Sequence, residues 1–392
     1  MAISPPSVGL ALGLVLATVA LAYAAAALWV VAAWRPAPPA HASPAPGRAG
    51  PAVSILKPLA GLEPELAANL RSFCDQDYPD FEVILGVGDG SDAALATARE
   101  LAAEFPRGVR LVVGDHVAGA NHKAANLANM MAAARHDWIV VADSDVRVRP
   151  DYLRRLVGPL ADPAVGLVTC LYRARPLGPL WSRLGALAVN DWFLPSVLVS
   201  RALGSQVFVS GATLALRRDV LDAVGGFAAL TTVLADDYEL GRRTRRRGLR
   251  TVLSPVLVET LVAEPSARAL IAHEMRWLAT IRGVSPWGYV GLGLTHTLVV
   301  CTAAALFAGE RPWTLLLLAV ALGLRLMVHF TVERRLGVGG AALGTALLVP
   351  LRDLLGFTEW VAGFFTRRVR WRAHQLAVMG EGHIRMVRES SQ

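Results

Sequence analysis

Residues 138–145 read WIVVADSD, an apolar run closed by two acids one residue apart. Trp138 to Val141 has the makings of a buried strand in a parallel sheet, and such a strand delivers the residues after it to the carboxyl edge, where α/β sheets bind ligands. Residues two apart on a strand point to the same side. Asp143 and Asp145 are therefore placed to share a hard divalent cation, Mg2+ or Mn2+, which takes oxygen ligands and bridges phosphates. A pair of loop-capping acids would be spelled the same way.

Further short apolar runs lie on either side: VSILKPL from Val53, FEVILGVGDG from Phe81, VRLVVGD from Val109 and VGLVTCLY from Val165. They alternate with longer helical patterns between about Val53 and Ser285, which argues for an α/β domain with a mostly parallel sheet. Two of these neighbourhoods add acids. After Val83 to Val87 comes Gly88-Asp89-Gly90-Ser91-Asp92. There Asp89 is the candidate nucleotide contact and Asp92 reads as the cap of the next helix. The glycines do not spell GxGxxG, so a dinucleotide fold has no support. The stretch Leu234-Ala235-Asp236-Asp237-Tyr238 holds two adjacent carboxylates. Their repulsion raises the proton affinity of one, which makes a usable general base for an acceptor hydroxyl. Capping of a helix over 238–247 is the plainer reading of the same pair.

Farther on, HEMRW places His273 one helical turn from Arg276 and Trp277, a cationic fork beside an aromatic plate. It is not a HExxH zinc site, because Trp277 stands where the second histidine would be. An interfacial Arg/Trp pair is the alternative. Lesser candidates are Lys57 and the Asn121-His122-Lys123 run with Asn126, since lysines at strand or helix edges pair with phosphate. Solvated surface lysines are the alternative there. The run Arg242, Arg243, Arg245, Arg246, Arg247 reads as a solvated or lipid-facing surface.

Apolar residues make up 54% of the 392-residue chain, and the net charge is +8. So apolar a composition points to membrane segments, and the positive charge is open to nucleic acid, anionic lipid or nucleotide phosphate as its reason; the motifs imply no nucleic-acid partner. Cys74, Cys170 and Cys301 lack metal spacing and read as free thiols. Residues 1–34 carry no charged side chain and read as an anchor, followed by a Pro/Ala/Gly linker over 35–52. The catalytic block takes 53–286, C-terminal membrane helices 287–366, and a basic tail 367–392. Within the membrane region, 287–308 and 312–332 are candidate spans. The third run, 339–365, is too short to cross twice and is expected to break near Pro350, with Arg352 and Asp353 turned toward protein. A single tilted span is the alternative. The distribution of basic clusters puts the N-terminus outside and the catalytic block at the cytoplasmic face.

The order of these motifs carries more than any one of them. Asp89, Asp143, Asp237 and HEMRW resemble the D1, D2, D3, (Q/R)xxRW series of family-2-like inverting glycosyltransferases with a GT-A fold. VSILKPLAGLEPEL, SFCDQDYPDFEVILGV, ADSDVRV, SGATLALRRDVLDAVGGF and LADDYEL look most like the ceramide glucosyltransferase family, family 21. VGLVTCLYRARPLGPLWSRLGAL and DWFLPSVLVSRALG are similar to its bacterial branch, associated with hopanoid synthesis. The resemblance implies an integral protein of the bacterial inner membrane. It would move N-acetylglucosamine from UDP-N-acetylglucosamine to bacteriohopanetetrol, with glucosylation of ceramide as the alternative. It also implies roles: Asp89 at the uracil, Lys123 near the nucleotide, Asp143 on the sugar-nucleotide, Asp145 on the metal. Asp237 would be the base with Asp236 supporting it, and Arg276 and Trp277 would hold the diphosphate and acceptor region. The chain departs from the pattern at His273, where the family has Gln or Arg. It also keeps Asp145, which the animal ceramide enzymes lack. A processive polysaccharide synthase shares these motifs but needs more membrane helices, and a non-catalytic lipid-binding or transport protein would mark its path with intramembrane charges, of which Arg352-Asp353 is the obvious internal pair.

Overall fold

The computed structural model describes residues 5–35, 50–114, 116–309, 311–337, 342–366, 368–371, 374–378 and 383–386. The linker read over 35–52 falls almost wholly outside them, as do Glu310 and Gly339. By internal packing the chain divides into two units. One comprises Arg35–Tyr172, Gln206–Leu261 and Leu376–Gln392; the other comprises Met1–Trp34, Arg173–Ser205 and Val262–Gln375.

The first unit is built on eight strands: β1 (Val53–Leu59), β2 (Phe81–Val87), β3 (Val109–Val113), β4 (Trp138–Ala142), β5 (Val146–Arg147), β6 (Val165–Pro176), β7 (Thr213–Arg217) and β8 (Arg250–Val262). They form one sheet in the order β3-β2-β1-β4-β7-β6-β8-β5. The pairs β1–β2, β1–β4 and β2–β3 are parallel, whereas β4–β7, β6–β7 and β5–β8 are antiparallel. The sheet is thus mixed, not mostly parallel. A strand buried on both faces is uniformly apolar in either direction, so the apolar runs do not report polarity.

Every residue of β1 is buried. One face of the sheet packs Ile55 and Leu59 with Leu70 and Phe73 of the helix Leu66–Cys74 and Leu95 and Ala98 of the helix Ala94–Glu104. The other packs Leu56 and Ile84 with Leu127 and Met130 of the helix His122–Met131. Burying each such side chain contributes about 1.5–3 kcal/mol. In register, Leu59 lies beside Val87 and Leu56 beside Val141, so the chain leaves β1, β2 and β4 at one edge. That edge receives the candidate acids.

In the second unit, the helix Pro5–Ala33 packs on the helices Thr297–Ala308 and Pro312–Leu336. Small residues allow close approach: Ala17, Ala20, Ala24 and Ala27 are buried along one stripe, and a Cβ on Gly13 would meet Ala304 Cα at 3.3 Å. Thr297 Oγ1 donates to the Ala20 carbonyl at 3.2 Å. Two helices, Val8–Ala33 and Pro312–Arg335, are long and apolar enough to cross a membrane. The span read over 287–308 is a pair of helices, Pro286–Thr295 and Thr297–Ala308, apolar enough together to be one span and bent by 70°. The break is at His296, whose ring is buried and stacked on Trp192 at 5.8 Å. The 12-residue second piece reaches only about 18 Å at 1.5 Å per residue.

The third apolar region holds the helices Ala342–Ala346 and Val349–Gly363, joined by a turn in which Leu348 N donates to the Thr345 carbonyl. Pro350 sits in the first turn of the second helix, where its missing N–H costs nothing. Arg352 and Asp353 face protein. Arg352 pairs with Glu274 at 2.8 Å and Glu359 at 2.7 Å, and Asp353 with Arg325 at 2.7 Å. Beyond 367, the segment read as a basic tail contains the strands β9 (Arg368–Trp371), β10 (His374–Val378) and β11 (Ile384–Met386) of a small sheet.

Candidate active site

β4 ends at Ala142, and the next three residues are held by their main chain. Asp143 N donates to the Ala212 carbonyl at 3.1 Å, and Asp145 O accepts from Leu261 N at 3.3 Å. The Ser144 carbonyl accepts from Asn69 Nδ2 at 3.4 Å. The Asp143 carbonyl accepts from Lys57 Nζ. This fixed turn presents the two carboxylates differently. Asp143 Oδ1 is 2.5 Å from Lys123 Nζ, and Asp145 Oδ2 accepts from Thr260 Oγ1 at 2.5 Å. Burial, and then the charge of Asp143, raise the Asp145 carboxyl above its usual range against the Thr260 hydrogen bond.

Lys123 comes from the first turn of the helix His122–Met131. Asn121 caps that helix, its side-chain oxygen accepting from Ala124 N at 2.9 Å. The other end of the same amide donates to the Val233 carbonyl at 2.9 Å and to Asp236 Oδ1 at 3.3 Å. One side chain thus ties the lysine's helix to the loop that delivers Asp236 and Asp237. Lys123 Nζ also donates to the Gly211 carbonyl at 3.2 Å. Burial works against its charge, but Asp143 and then Asp236 outweigh it and hold the ammonium well above its usual range.

Asp236 and Asp237 open the helix Asp236–Arg246, and Asp237 Oδ1 accepts from Tyr238 N at 2.7 Å. Asp237 Oδ2 lies against Gly211: a Cβ there would stand 3.0 Å from it and 3.5 Å from Lys123 Nζ. Only glycine leaves that gap open. Burial, and then the Asp236 carboxylate, push the Asp237 carboxyl up to about 7, against the pull of Lys123. An acid at that value is matched to accepting a proton near neutral pH.

Asp89 and Asp92 make no contact with this group among the hydrogen bonds of the described residues. Asp89 is exposed in the turn after β2, where its Oδ1 accepts from Ser91 N at 2.6 Å and Ser91 Oγ at 2.5 Å. Those bonds hold its carboxyl below the usual range. Asp92 accepts from Ala94 N at the helix start and also pins Gly61 N, both at 2.8 Å. Lys57 and Asn126, the further nucleotide candidates, are both buried. Lys57 is 0% exposed inside β1, and burial pulls its ammonium down to about 7. Asn126 is buried, with its Nδ2 on the Gly86 carbonyl at 2.9 Å. Neither offers an exposed donor. A strand that alternates faces in sequence gives no hint that both its faces are covered.

His273, Arg276 and Trp277 lie in the other unit, on the helix Ala267–Val284. His273 Nδ1 is 2.8 Å from Glu264 Oε1, and its ring meets that of Trp277 edge-on at 4.6 Å. Glu274, passed over in the sequence, is the buried partner of Arg352. Sequence reasoning also passed over Gly211, Thr260, Asn121's second hydrogen bond and Tyr172. The Tyr172 phenol on β6 is held above its usual range by burial and then by Asp237, Asp145 and Asp143, which marks it as facing the same acids. Of these, only Gly211 had a local signal, the small-residue turn 210–212 before β7.

The group therefore gathers four carboxylates and two ammoniums on the sheet unit. Among the described residues no set of three His, Cys, Asp or Glu converges as a metal cage. Two adjacent carboxylates, one with raised proton affinity, nonetheless fit a hard cation that takes its remaining oxygens from a diphosphate and water.

Comparison with known proteins extends the picture. Ceramide glucosyltransferase 1 of Caenorhabditis elegans is 25% identical over 206 residues, 52% of this chain and 44% of that one, so the chain spans less than half of that relative's length. An N-acetylglucosaminyltransferase of Rhizobium meliloti is 24% identical over 367 residues, 83% of this chain and 85% of that one. The structure of a mannosyltransferase from Pyrobaculum calidifontis, in complex with GDP-Man and Mn2+, superposes with a TM-score of 0.53 at 21% identity. It covers 91% of this chain and 96% of that one, and it shares the GT-A fold. Residues 12–384, nearly the whole length, match a single family, and on that match the chain belongs to glycosyl transferase family 21.

Proposed function

We propose that this family 21 glycosyltransferase moves a sugar from a UDP-sugar onto a lipid hydroxyl at a membrane surface, with inversion at the anomeric carbon. The observation that carries the reading is Asp237: a carboxyl raised to about 7, lying against Gly211, whose carbonyl accepts from Lys123, the partner of Asp143. In this reading Asp237 takes the proton of the acceptor hydroxyl as that oxygen attacks the anomeric carbon. The bond from that carbon to the diphosphate breaks, and UDP leaves with the electron pair. Asp236 keeps the Asp237 proton affinity high. Lys123 offers a fixed positive charge to the departing diphosphate. Asp143 orients the donor, and Asp89 takes the uracil end. Asp145, with Asp143, would hold Mg2+ or Mn2+, which supplies Lewis-acid charge to the diphosphate when bound.

N-acetylglucosamine as the sugar and bacteriohopanetetrol as the acceptor are the specific assignment. The similarity to the Rhizobium meliloti enzyme over most of both chains supports the sugar, and the resemblance of 165–187 and 191–204 to the hopanoid branch supports the lipid. Glucose and ceramide form the second reading, favoured by the similarity to a ceramide glucosyltransferase over about half of this chain. We place the protein in the bacterial inner membrane with its catalytic unit at the cytoplasmic face. The test is UDP release by detergent-purified protein, pairing each UDP-sugar with each lipid, with Mg2+ or Mn2+. Release only with UDP-N-acetylglucosamine and the hopanoid supports the specific assignment, whereas release only with UDP-glucose and ceramide overturns it. Failure to bind UDP at all refutes the enzyme reading.

A further inference from the structure

Lys57 is an unusual residue for its position. β1 is central in the sheet and buried along its whole length, and Lys57 is 0% exposed within it. An ammonium in such a place costs stability unless it is paired, and an apolar residue of similar size would serve the strand better. The side chain is nonetheless fully engaged. Its Nζ stands 3.8 Å from the centre of the Phe73 ring and donates to the Asp143 main-chain carbonyl. Asn69, also 0% exposed, completes the support one residue on. It donates to the Ser144 carbonyl at 3.4 Å, while its own oxygen accepts from Arg147 Nη2 at 2.9 Å. Leu261 N takes the Asp145 carbonyl. The carbonyls of 143, 144 and 145 are thus all held from within. Of the three supports, Lys57 alone brings charge, and it lies beneath two like-charged acids.

We propose that Lys57 is a positioning residue that pins the Asp143 carbonyl and balances the Asp143–Asp145 charge from inside the sheet, so that both carboxylates are set to receive a metal-bound nucleotide. The proposal rests on the reading of Asp143 and Asp145 as cation ligands. Two carboxylates on one turn repel, and an unsupported turn relieves that repulsion by splaying them apart. A cation would then have to draw them together on binding. With Lys57 underneath, that cost is met in the folded chain. Groups that orient metal ligands from behind act in this way: their loss weakens the metal far more than it weakens the fold.

The test compares wild type with Lys57→Met, full-length and in detergent, by calorimetric titration of UDP in EDTA and in saturating Mn2+, alongside thermal melting. The expected result is an unchanged or higher melting temperature, with UDP affinity in EDTA preserved within about twofold and the Mn2+-dependent affinity lowered about tenfold or more. In turnover the donor KM rises while kcat at saturating donor and Mn2+ stays near wild type. Full retention of the Mn2+-dependent affinity overturns the proposal. So does a lowered melting temperature with equal loss in both titrations, which marks a purely structural lysine. If Lys57→Met does not fold, Lys57→Gln, which keeps an N–H for the carbonyl and drops the charge, is read in the same two titrations. A wild type whose UDP affinity ignores Mn2+ fails the parent reading of Asp143 and Asp145 instead, and this one with it.

Discussion

Lys123 Nζ stands 2.5 Å from Asp143 Oδ1, and the same ammonium donates to the Gly211 carbonyl that borders Asp237. A single cation therefore lies between the donor-side acid and the acid proposed as base. With Asn121 holding Asp236 from the same helix start, the two halves of the chemistry share one support.

Asp237→Asn separates binding from turnover. The amide keeps the shape and the hydrogen bond from Tyr238 N but accepts no proton. UDP-sugar binding is expected to stay within a few-fold of wild type while kcat falls by about 10²–10⁴. Single-turnover kinetics beside equilibrium binding decide it, and unchanged turnover would remove Asp237 from the base role.

The pH dependence arises from the same residue. A base must be ionised to act, so kcat is expected to fall below about pH 7, the value to which Asp237 is raised. Stability runs the opposite way. An acid whose proton affinity rises on folding binds more protons folded than unfolded. Its contribution is therefore most favourable at low pH and is lost as pH climbs from about 4, the unfolded value, through about 7. Asp237→Asn should remove that slope, leaving the variant more stable than wild type at pH 8. Melting curves across pH check this, and a slope of the same size in both proteins counts against it.

Lys123→Met tests the shared cation. Lys123 lowers the proton affinity of Asp237, so its loss should move the acid limb of the kcat profile to higher pH. The donor KM should rise as well, because the leaving diphosphate loses its fixed charge. A raised KM with an unmoved acid limb would mean that Lys123 serves the donor only.

How far the sequence anticipates this site depends on the range of the interactions. WIVVADSD foretells both the strand and the acids beyond it, because a buried run and its terminal charges are local in the chain. The hydrogen bond from Asn121 to the Val233 carbonyl spans 112 residues, and that from Thr260 to Asp145 spans 115; no window of sequence contains both ends. Strand direction is equally hidden, since β7 looks the same whether it runs with β4 or against it. The 70° break at His296 is invisible to hydropathy, which averages over a helix and its bend alike. Arg352 and Asp353 are legible as inward-facing from their charge alone, but their partners Glu274, Glu359 and Arg325 are not.

Those partners carry a stability prediction. Arg325 and Asp353 are 5% and 4% exposed and joined by three hydrogen bonds of 2.7–3.1 Å. Asp353→Leu leaves a buried guanidinium without its carboxylate and should cost about 3–5 kcal/mol. Arg325→Leu combined with Asp353→Leu should recover most of that loss, because both charges leave together. Thermal melting in detergent reads both variants. Equal melting of the single and double variants would show that the pair's charge is not what matters.

Gly211→Ala is the smallest change with a directed effect. Gly211 is not in the left-handed region, so alanine fits its backbone and any effect arises from the added methyl. That methyl would stand 3.0 Å from Asp237 Oδ2 and 3.5 Å from Lys123 Nζ. The first distance is tighter than nearly all carbon–oxygen contacts of this kind, so the half-buried carboxylate must shift aside by a few tenths of an ångström. It would leave the gap through which an acceptor hydroxyl reaches it. Lys123 is less disturbed, since 3.5 Å is ordinary van der Waals contact. The variant should therefore bind UDP-sugar normally and melt near wild type. Its kcat should fall by roughly 10²-fold, the scale set by small misplacements of a reacting group. A drop in donor affinity instead would place Gly211 on the nucleotide side of the site and shift the acceptor's approach to the opposite face of Asp237.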